Sequence, residues 1–230
     1  MTDACKARET MVERQLEIRG VQDPRVLAAM REVPREAFVP ESLREYAYQD
    51  RPLPIGCGQT ISQPYIVALM IEAAALRESD RVLEIGAGSG YAAAVMSRIA
   101  AQVYAIERIE ELAVAADERL RRLGYANVEL RTGDGTCGWA EAAPFDAILV
   151  AAAGPAVPPP LAEQLAVGGR LVMPVDEEPF GQRLVRVTRT GEDEFAQRSL
   201  CGVAFVPLIG AHGWAEPTRN APSAPPTVGL

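Results

Sequence analysis

Three short clusters in the chain could together hold a nucleoside. Gly86-Ala87-Gly88-Ser89-Gly90 follows an apolar run, Val82-Leu83-Glu84-Ile85, and precedes a helical pattern that begins at Tyr91. Glycines placed there let the backbone turn sharply and let a ligand approach with no β-carbon in the way. About twenty residues beyond the first glycine, Ala105-Ile106-Glu107 closes a second apolar run, where a carboxylate can accept from both hydroxyls of a ribose. A third run is followed by Gly133-Asp134-Gly135, a turn whose carboxylate can accept from an adenine amino group. Each cluster has a plainer reading: a tight turn, a neighbour of a helix N-cap, an Asx turn. Their order, at the ends of successive strands, favours a ligand, because open α/β sheets bind ligands at the carboxyl ends of their strands.

The glycine spacing is GxGxG. A dinucleotide fingerprint would place glycine at position 91, where this chain has Tyr91. A pyrophosphate needs the helix N-terminus close by. S-adenosyl-L-methionine carries no phosphate and makes a weaker demand on that geometry. The expected cofactor is therefore S-adenosyl-L-methionine, leaving as S-adenosyl-L-homocysteine. Its expected contacts are Glu84, Gly86, Gly88, Gly90, Glu107, Gly133, Asp134 and Gly135. A nicotinamide-dependent dehydrogenase is the rival from another class. Tyr91 and the lack of a plausible hydride-site histidine count against it, since His212 is the one histidine of the chain.

The elements that must position these residues are legible in the pattern. After the first strand comes a helix over 91–98, then a strand Gln102–Ile106. A helix over 109–123 carries Ile109, Leu112, Ala113, Ala116, Leu120 and Leu123 on one face, and Gly124 caps it. Strands follow at Val128–Arg131 and Phe145–Val150, the latter apolar enough to be buried on both faces. A helix Pro158–Ala166, a strand Arg170–Met173 and a β-hairpin of 182–190 with 195–203 complete the series. Strand–helix alternation implies a doubly wound, Rossmann-like α/β sheet.

Upstream, Met11, Val12, Leu16 and Ile18 fall on a helical period that Gly20 can end. Asp23-Pro24 reads as an N-cap and first helical residue, and Val33-Pro34 as a stop. Residues 52–60 hold prolines and glycines and read as a constrained loop, with a helix from Pro64. Residues 1–210 are expected to form one domain: N-terminal helices and a substrate loop over 1–62, then the cofactor-binding sheet and C-terminal strands over 63–210. Residues 211–230, rich in proline and without apolar period, are expected to be a disordered tail.

The net charge of −8 argues against nucleic acid or an anionic membrane as partner. No apolar stretch is long enough for a transmembrane helix, and the charged N-terminus lacks the apolar core of a signal peptide. Four scattered cysteines and a single histidine argue against a metal site and fit free thiols in a reducing cytoplasm; a monomer is expected.

Leu53-Pro54-Ile55-Gly56-Cys57-Gly58-Gln59-Thr60-Ile61-Ser62-Gln63-Pro64 resembles the signature of the protein-L-isoaspartate O-methyltransferases. So do Pro34-Arg35, Phe38-Val39-Pro40, Ala47-Tyr48 with Asp50, the glycine turn, the Gly133–Gly135 turn and Phe205-Val206-Pro207-Leu208. The likeness spans roughly residues 10–210, with Glu36 standing where many members have histidine. It implies methyl transfer to the free carboxylate of L-isoaspartyl residues in damaged proteins and peptides. It makes Ser62 the active-site serine, with Gln59, Thr60, Ile61, Val206 and Pro207 as substrate-binding residues. From residue type alone Ser62 reads as a helix cap; the resemblance reverses that. Cys57, with no histidine beside it, reads as packing. Two alternatives keep the fold: a carboxyl methyltransferase acting on a dedicated peptide, and a cofactor-binding module without catalysis.

Overall fold

The computed structural model describes residues 3–216. Its first helix, α1 (Asp3–Met11), runs through a π turn at Val12–Leu16 and a tighter turn at Glu17–Arg19. It ends on Gly20 at φ 93°, the left-handed conformation that the sequence requires of a glycine cap. Helix α2 (Pro24–Glu32) starts where Asp23 accepts from the Arg25 N–H at 2.9 Å, and stops at Val33 before Pro34. Glu72, on α3 (Pro64–Ala74), accepts from the backbone N–H groups of Gln22 and Asp23, tying the N-terminal arm to the main body.

Residues 52–60 are not an irregular loop. Strands β1 (Leu53–Gly56) and β2 (Gln59–Ile61) pair antiparallel, with Leu53 opposite Ile61. The turn between them holds three successive residues at positive φ: Gly56, Cys57 and Gly58. Cys57 is exposed at this tip and is not packing, contrary to expectation.

The remaining strands are β3 (Arg81–Ile85), β4 (Gln102–Glu107), β5 (Val128–Thr132), β6 (Phe145–Val150), β7 (Leu165–Asp176), β8 (Gln182–Arg189) and β9 (Phe195–Val203). Helices α4 (Tyr91–Met96), α5 (Glu110–Arg122) and α6 (Pro159–Glu163) lie between them. The sheet order is β5-β4-β3-β6-β7-β8-β9. Strands β5 to β7 across the sheet are parallel, and β8 and β9 add an antiparallel hairpin. This is the expected doubly wound, Rossmann-like sheet. The chain goes from β3 outward to β4 and β5, then returns to the other side of β3 with β6. That reversal opens a crevice at the carboxyl ends of β3 and β6.

Both faces of the sheet are covered. Ala147 and Leu149 of β6 join an apolar cluster with Met11, Leu16, Met30 and Ile71, while Ile148 and Val150 join one with Phe145, Leu161 and Leu171. Alternate side chains of one strand therefore serve two cores. The largest boundary differences from the sequence reading lie at α6 and β7. Helix α6 is only five residues long, and β7 begins at Leu165 instead of residue 170. The register jumps from Phe145↔Leu165 to Ala147↔Arg170, so Gly168 and Gly169 sit in a bulge inside the strand and do not precede it.

Candidate active site

Strand β3 delivers the first acid of the site. Alternation along the strand puts Val82 and Glu84 on one face and Leu83 and Ile85 on the other. Glu84 is 2% exposed, and its Oε2 has no hydrogen-bond partner. Burial, reinforced by the neighbouring Glu107 charge, raises its pKa well above the usual glutamate value.

The backbone after β3 turns through Gly86 at φ 84° and Gly88 at φ 54°. Glu107, at the end of β4, holds that turn. Its Oε2 accepts from the Gly88 N–H at 2.8 Å and its Oε1 from the Ile109 N–H at 2.9 Å. The carboxylate is thus fixed between the glycine turn and the start of α5, with lone pairs still available on each oxygen.

A cavity of about 260 Å³ opens at this point. Of the expected cofactor residues, Glu84, Gly86, Gly88, Glu107 and Gly135 line it. A β-carbon on Gly135 would run into the Ile85 side chain, so only glycine fits there. Gly90, Gly133 and Asp134 do not line the cavity. Gly90 instead lets α4 pack against α5, where a β-carbon would meet Leu120 Cδ1 at 3.1 Å. The Gly133 N–H donates to the Glu107 carbonyl. Asp134 Oδ1 accepts from the Thr136 N–H and hydroxyl, and Oδ2 from the Ala211 N–H. Burial would raise the Asp134 pKa, but these bonds outweigh it and hold the carboxyl below its ordinary value.

Those bonds correct the reading of the C-terminal segment. Residues 211–216 are placed: the His212 N–H donates to Thr136 Oγ1, Trp214 Nε1 to the Ala153 carbonyl at 3.0 Å, and Glu216 pairs with Arg108. They form a strap following Leu208 and Ile209, which line the cavity. The rest of the expected tail, 217–230, lies outside the described residues.

The substrate-side residues come together. Gln59, Thr60, Ile61, Ser62, Val206 and Pro207 all line the cavity. An adjoining groove is bordered by Arg19, Tyr65, Ile66 and residues 201–206. Thr60, Ser62, Ala151 and Val206 line both spaces. Ser62 is not a helix cap: the N-cap of α3 is Gln63, and no side chain caps it. The Ser62 hydroxyl has no hydrogen-bond partner among the described residues. The Val206 carbonyl already accepts from the Ala153 N–H, and Gln182 holds the Phe205 main chain at both its N–H and carbonyl.

Two residues of this region were not foreseen. Tyr91 lines the cavity from the first turn of α4; burial pushes its hydroxyl up to about 12. Arg35 lies behind Ser62, wholly buried, and donates to the Ser62 carbonyl at 2.7 Å. Desolvation lowers its pKa. A charged residue within a proline-flanked turn carries no signal of such burial.

A switch-point crevice with a glycine turn, a pinned acid at the second strand end and a buried carboxylate with one oxygen unpartnered belongs to a Rossmann-like enzyme using a nucleoside cofactor. The sequence model of the protein-L-isoaspartate(D-aspartate) O-methyltransferase family matches residues 6–213. The chain belongs to that family. It is 64% identical over 207 residues to protein-L-isoaspartate O-methyltransferase 2 of Pelobacter propionicus, covering 90% of this chain and 92% of that one. It is 61% identical to the corresponding protein of Rhodopseudomonas palustris, covering 90% and 95%. A solved protein-L-isoaspartate O-methyltransferase superposes with a TM-score of 0.80 at 32% identity, covering 90% of this chain and 67% of that one. A Plasmodium falciparum beta-aspartate methyltransferase in complex with S-adenosyl-L-homocysteine gives 0.77 at 27% identity, covering 88% and 98%.

Proposed function

We propose that this chain transfers a methyl group from S-adenosyl-L-methionine to the free carboxylate of L-isoaspartyl residues in damaged proteins and peptides. The observation that carries the proposal is the position of Ser62, with an unpartnered hydroxyl, on the boundary between the cofactor cavity and the adjoining groove.

The cavity suits the cofactor. Glu84, buried and with its Oε2 unpartnered, offers an acceptor for the methionine ammonium. The Glu107 oxygens face the same space and can accept from the ribose hydroxyls. Gly86 and Gly88 turn the backbone at positive φ along the cavity wall, and Gly135 lets that wall pack against Ile85. Gly90, Gly133 and Asp134 act one layer back, shaping the turns. Asp134 holds the Thr136 turn to the Ala211 N–H and so shapes the wall behind the cavity.

When bound, the cofactor supplies a methyl group already activated by a sulfonium. A substrate carboxylate has a pKa of about 4 and is an anion at pH 7. No general base is required, which suits a chain whose one histidine lies on the strap. The work left to the protein is alignment and exclusion of water. Ser62 donates to one carboxylate oxygen and so directs the other. Gln59, Thr60 and Ile61 form the near wall. The Val206 N–H and the Pro207 carbonyl, without partners among the described residues, receive an extended peptide main chain.

The reading extends to the protein as a whole. Residues 1–210 act as one domain, supported by the apolar cluster that joins Met11 and Leu16 to Val82 and Ala147. The protein works as a monomer in the cytoplasm, without nucleic-acid or membrane partners. Among the described residues no helix is long and apolar enough to cross a membrane, and a net charge of −8 gives polyanions little attraction.

The test is methyl incorporation from labelled cofactor into two peptides that differ only in an L-isoaspartyl or L-aspartyl linkage. Selective labelling of the first is expected. A main chain gripped on both sides fixes where the carboxylate lies, and a misplacement of about 1 Å costs roughly a hundredfold. Equal labelling would remove the repair function and leave a less selective carboxyl methyltransferase.

A further inference from the structure

The largest fully buried side chain among the described residues is a cation, Arg35, 0% exposed. A desolvated guanidinium is normally matched by a carboxylate. Among the described residues none pairs with Arg35. Its Nε donates to the Ala47 carbonyl at 2.8 Å and its Nη2 to the Ser62 carbonyl at 2.7 Å. Its guanidinium carbon lies 4.8 Å from the centroid of the Tyr91 ring, and Nη1 has no hydrogen-bond partner.

These contacts come from three separate places. Ala47 ends the turn at Glu41–Tyr46, Ser62 joins β2 to α3, and Tyr91 opens the helix that follows the glycine turn. Ser62 and Tyr91 both line the cofactor cavity, and Arg35 touches each without entering it. Ser62 lies between Ile61, paired with Leu53, and Gln63, whose side chain donates to the Asp50 carbonyl at 3.1 Å; among the described residues the Arg35 bond is the one that holds the Ser62 main chain itself. A planar, forked donor can serve two carbonyls and a ring face at once; a lysine ammonium cannot.

We propose that Arg35 is the positioning residue for Ser62, fixing the substrate-side segment against the cofactor-side helix so that the hydroxyl meets the carboxylate in line with the methyl group. The inference deepens the function proposed above and rests on it. Its cost, a buried charge without a counter-ion, is understandable if the gain is alignment and not stability.

The test compares Arg35→Met, which keeps the stem and removes the donors, with Arg35→Lys, each alone and combined with Ser62→Ala. Arg35→Met should lower kcat on an L-isoaspartyl peptide at least tenfold while the Kd for S-adenosyl-L-homocysteine stays within threefold. Arg35→Lys should recover only part of the loss. On the Ser62→Ala background, Arg35→Met should cost less than threefold. Losses that multiply would overturn the proposal, because Arg35 would then not act through Ser62. Hydrogen exchange supplies a readout independent of substrate: amides of 59–66 should exchange faster in the variants, with β3 and β4 unchanged. A rise spread evenly over the sheet would make Arg35 a core residue only. If Arg35→Met fails to fold, Arg35→Lys carries the same comparisons. If the wild type does not methylate the peptide, the functional reading fails and the exchange pattern still decides the role of Arg35.

Discussion

Glu107 accepts a hydrogen bond from the Gly88 N–H at 2.8 Å, so the acid expected to hold a ribose also holds the glycine turn in place. Both oxygens of this 5% exposed carboxylate serve backbone donors before any ligand arrives. Glu107→Ala should therefore do two things. Cofactor affinity should fall at least tenfold, since hydrogen bonds to a charged group contribute about 1.5–3 kcal/mol. Melting temperature should also drop by several degrees, because two N–H groups lose their acceptor and 1 kcal/mol shifts a domain of this size by roughly 2–4 °C. Isothermal titration and calorimetry check the two effects. Unchanged affinity with lowered stability would leave Glu107 a structural residue alone.

Ser62→Ala should separate catalysis from stability. Because Gln63 is the cap of α3 and Ser62 makes no cap bond, the melting temperature should move by less than about 2 °C. The kcat should fall at least tenfold, the loss expected for one hydrogen bond to an anion of about 1.5–3 kcal/mol. Steady-state kinetics on an L-isoaspartyl peptide provides the measurement. A full kcat would show that the hydroxyl does not touch the reacting carboxylate.

Asp134→Ala should release the strap. The Asp134 carboxylate ties the Ala211 N–H to the turn at Thr136, and Trp214 reports on the same segment through its bond to Ala153. Acrylamide should quench Trp214 more strongly in the variant, and cofactor affinity should fall because Leu208 and Ile209 line the cavity. The pH dependence has a definite sign. A carboxyl whose folded pKa is depressed stabilises the fold above its ordinary value of 3.8 and loses that contribution as pH falls through the lowered value. Strap release in the wild type is therefore expected only in strong acid. Quenching identical in variant and wild type would show that Asp134 is not the latch.

The parts of this architecture that were legible in the sequence are those written in apolar runs. Val82–Ile85 and Phe145–Val150 could be placed because strands buried on both faces are apolar at nearly every position. The acid at 107 follows from its place about twenty residues beyond the first glycine, at the end of the second apolar run. The β1–β2 hairpin did not, because two prolines and two glycines within Pro52–Gly58 look like a loop, and only the geometry shows that successive positive-φ residues make a tight turn. The strap was hidden for a different reason. It is held by backbone N–H groups on Asp134 and Thr136, and main-chain donors leave no trace in side-chain periodicity. Arg35 stands in a family motif, but its partners are carbonyls 12 and 27 residues away, which residue types do not encode.

Glu84 should make cofactor binding depend on pH. Its Oε2 is buried and unpartnered, and burial, with the Glu107 charge adding to it, raises the pKa well above 4.5. The folded protein without cofactor then holds a proton that the unfolded chain has released, so stability falls as pH climbs from about 4.5 toward the raised value. Glu84→Gln removes that penalty. The variant should melt higher than the wild type at pH 7, with the gap closing near pH 4. Cofactor binding should run the other way. An ammonium placed against Glu84 favours the ionised carboxylate, so the wild type must release a proton to bind. Affinity for S-adenosyl-L-homocysteine, which keeps the ammonium, should rise with pH by up to about tenfold per unit while Glu84 is protonated in the free protein. Glu84→Gln should bind more weakly at pH 7 and with little dependence on pH. Titration calorimetry in buffers of different ionisation enthalpy counts the released proton directly. Equal pH slopes for variant and wild type would show that the ammonium does not lie against Glu84, and the methionine end of the cofactor would have to be placed elsewhere in the cavity.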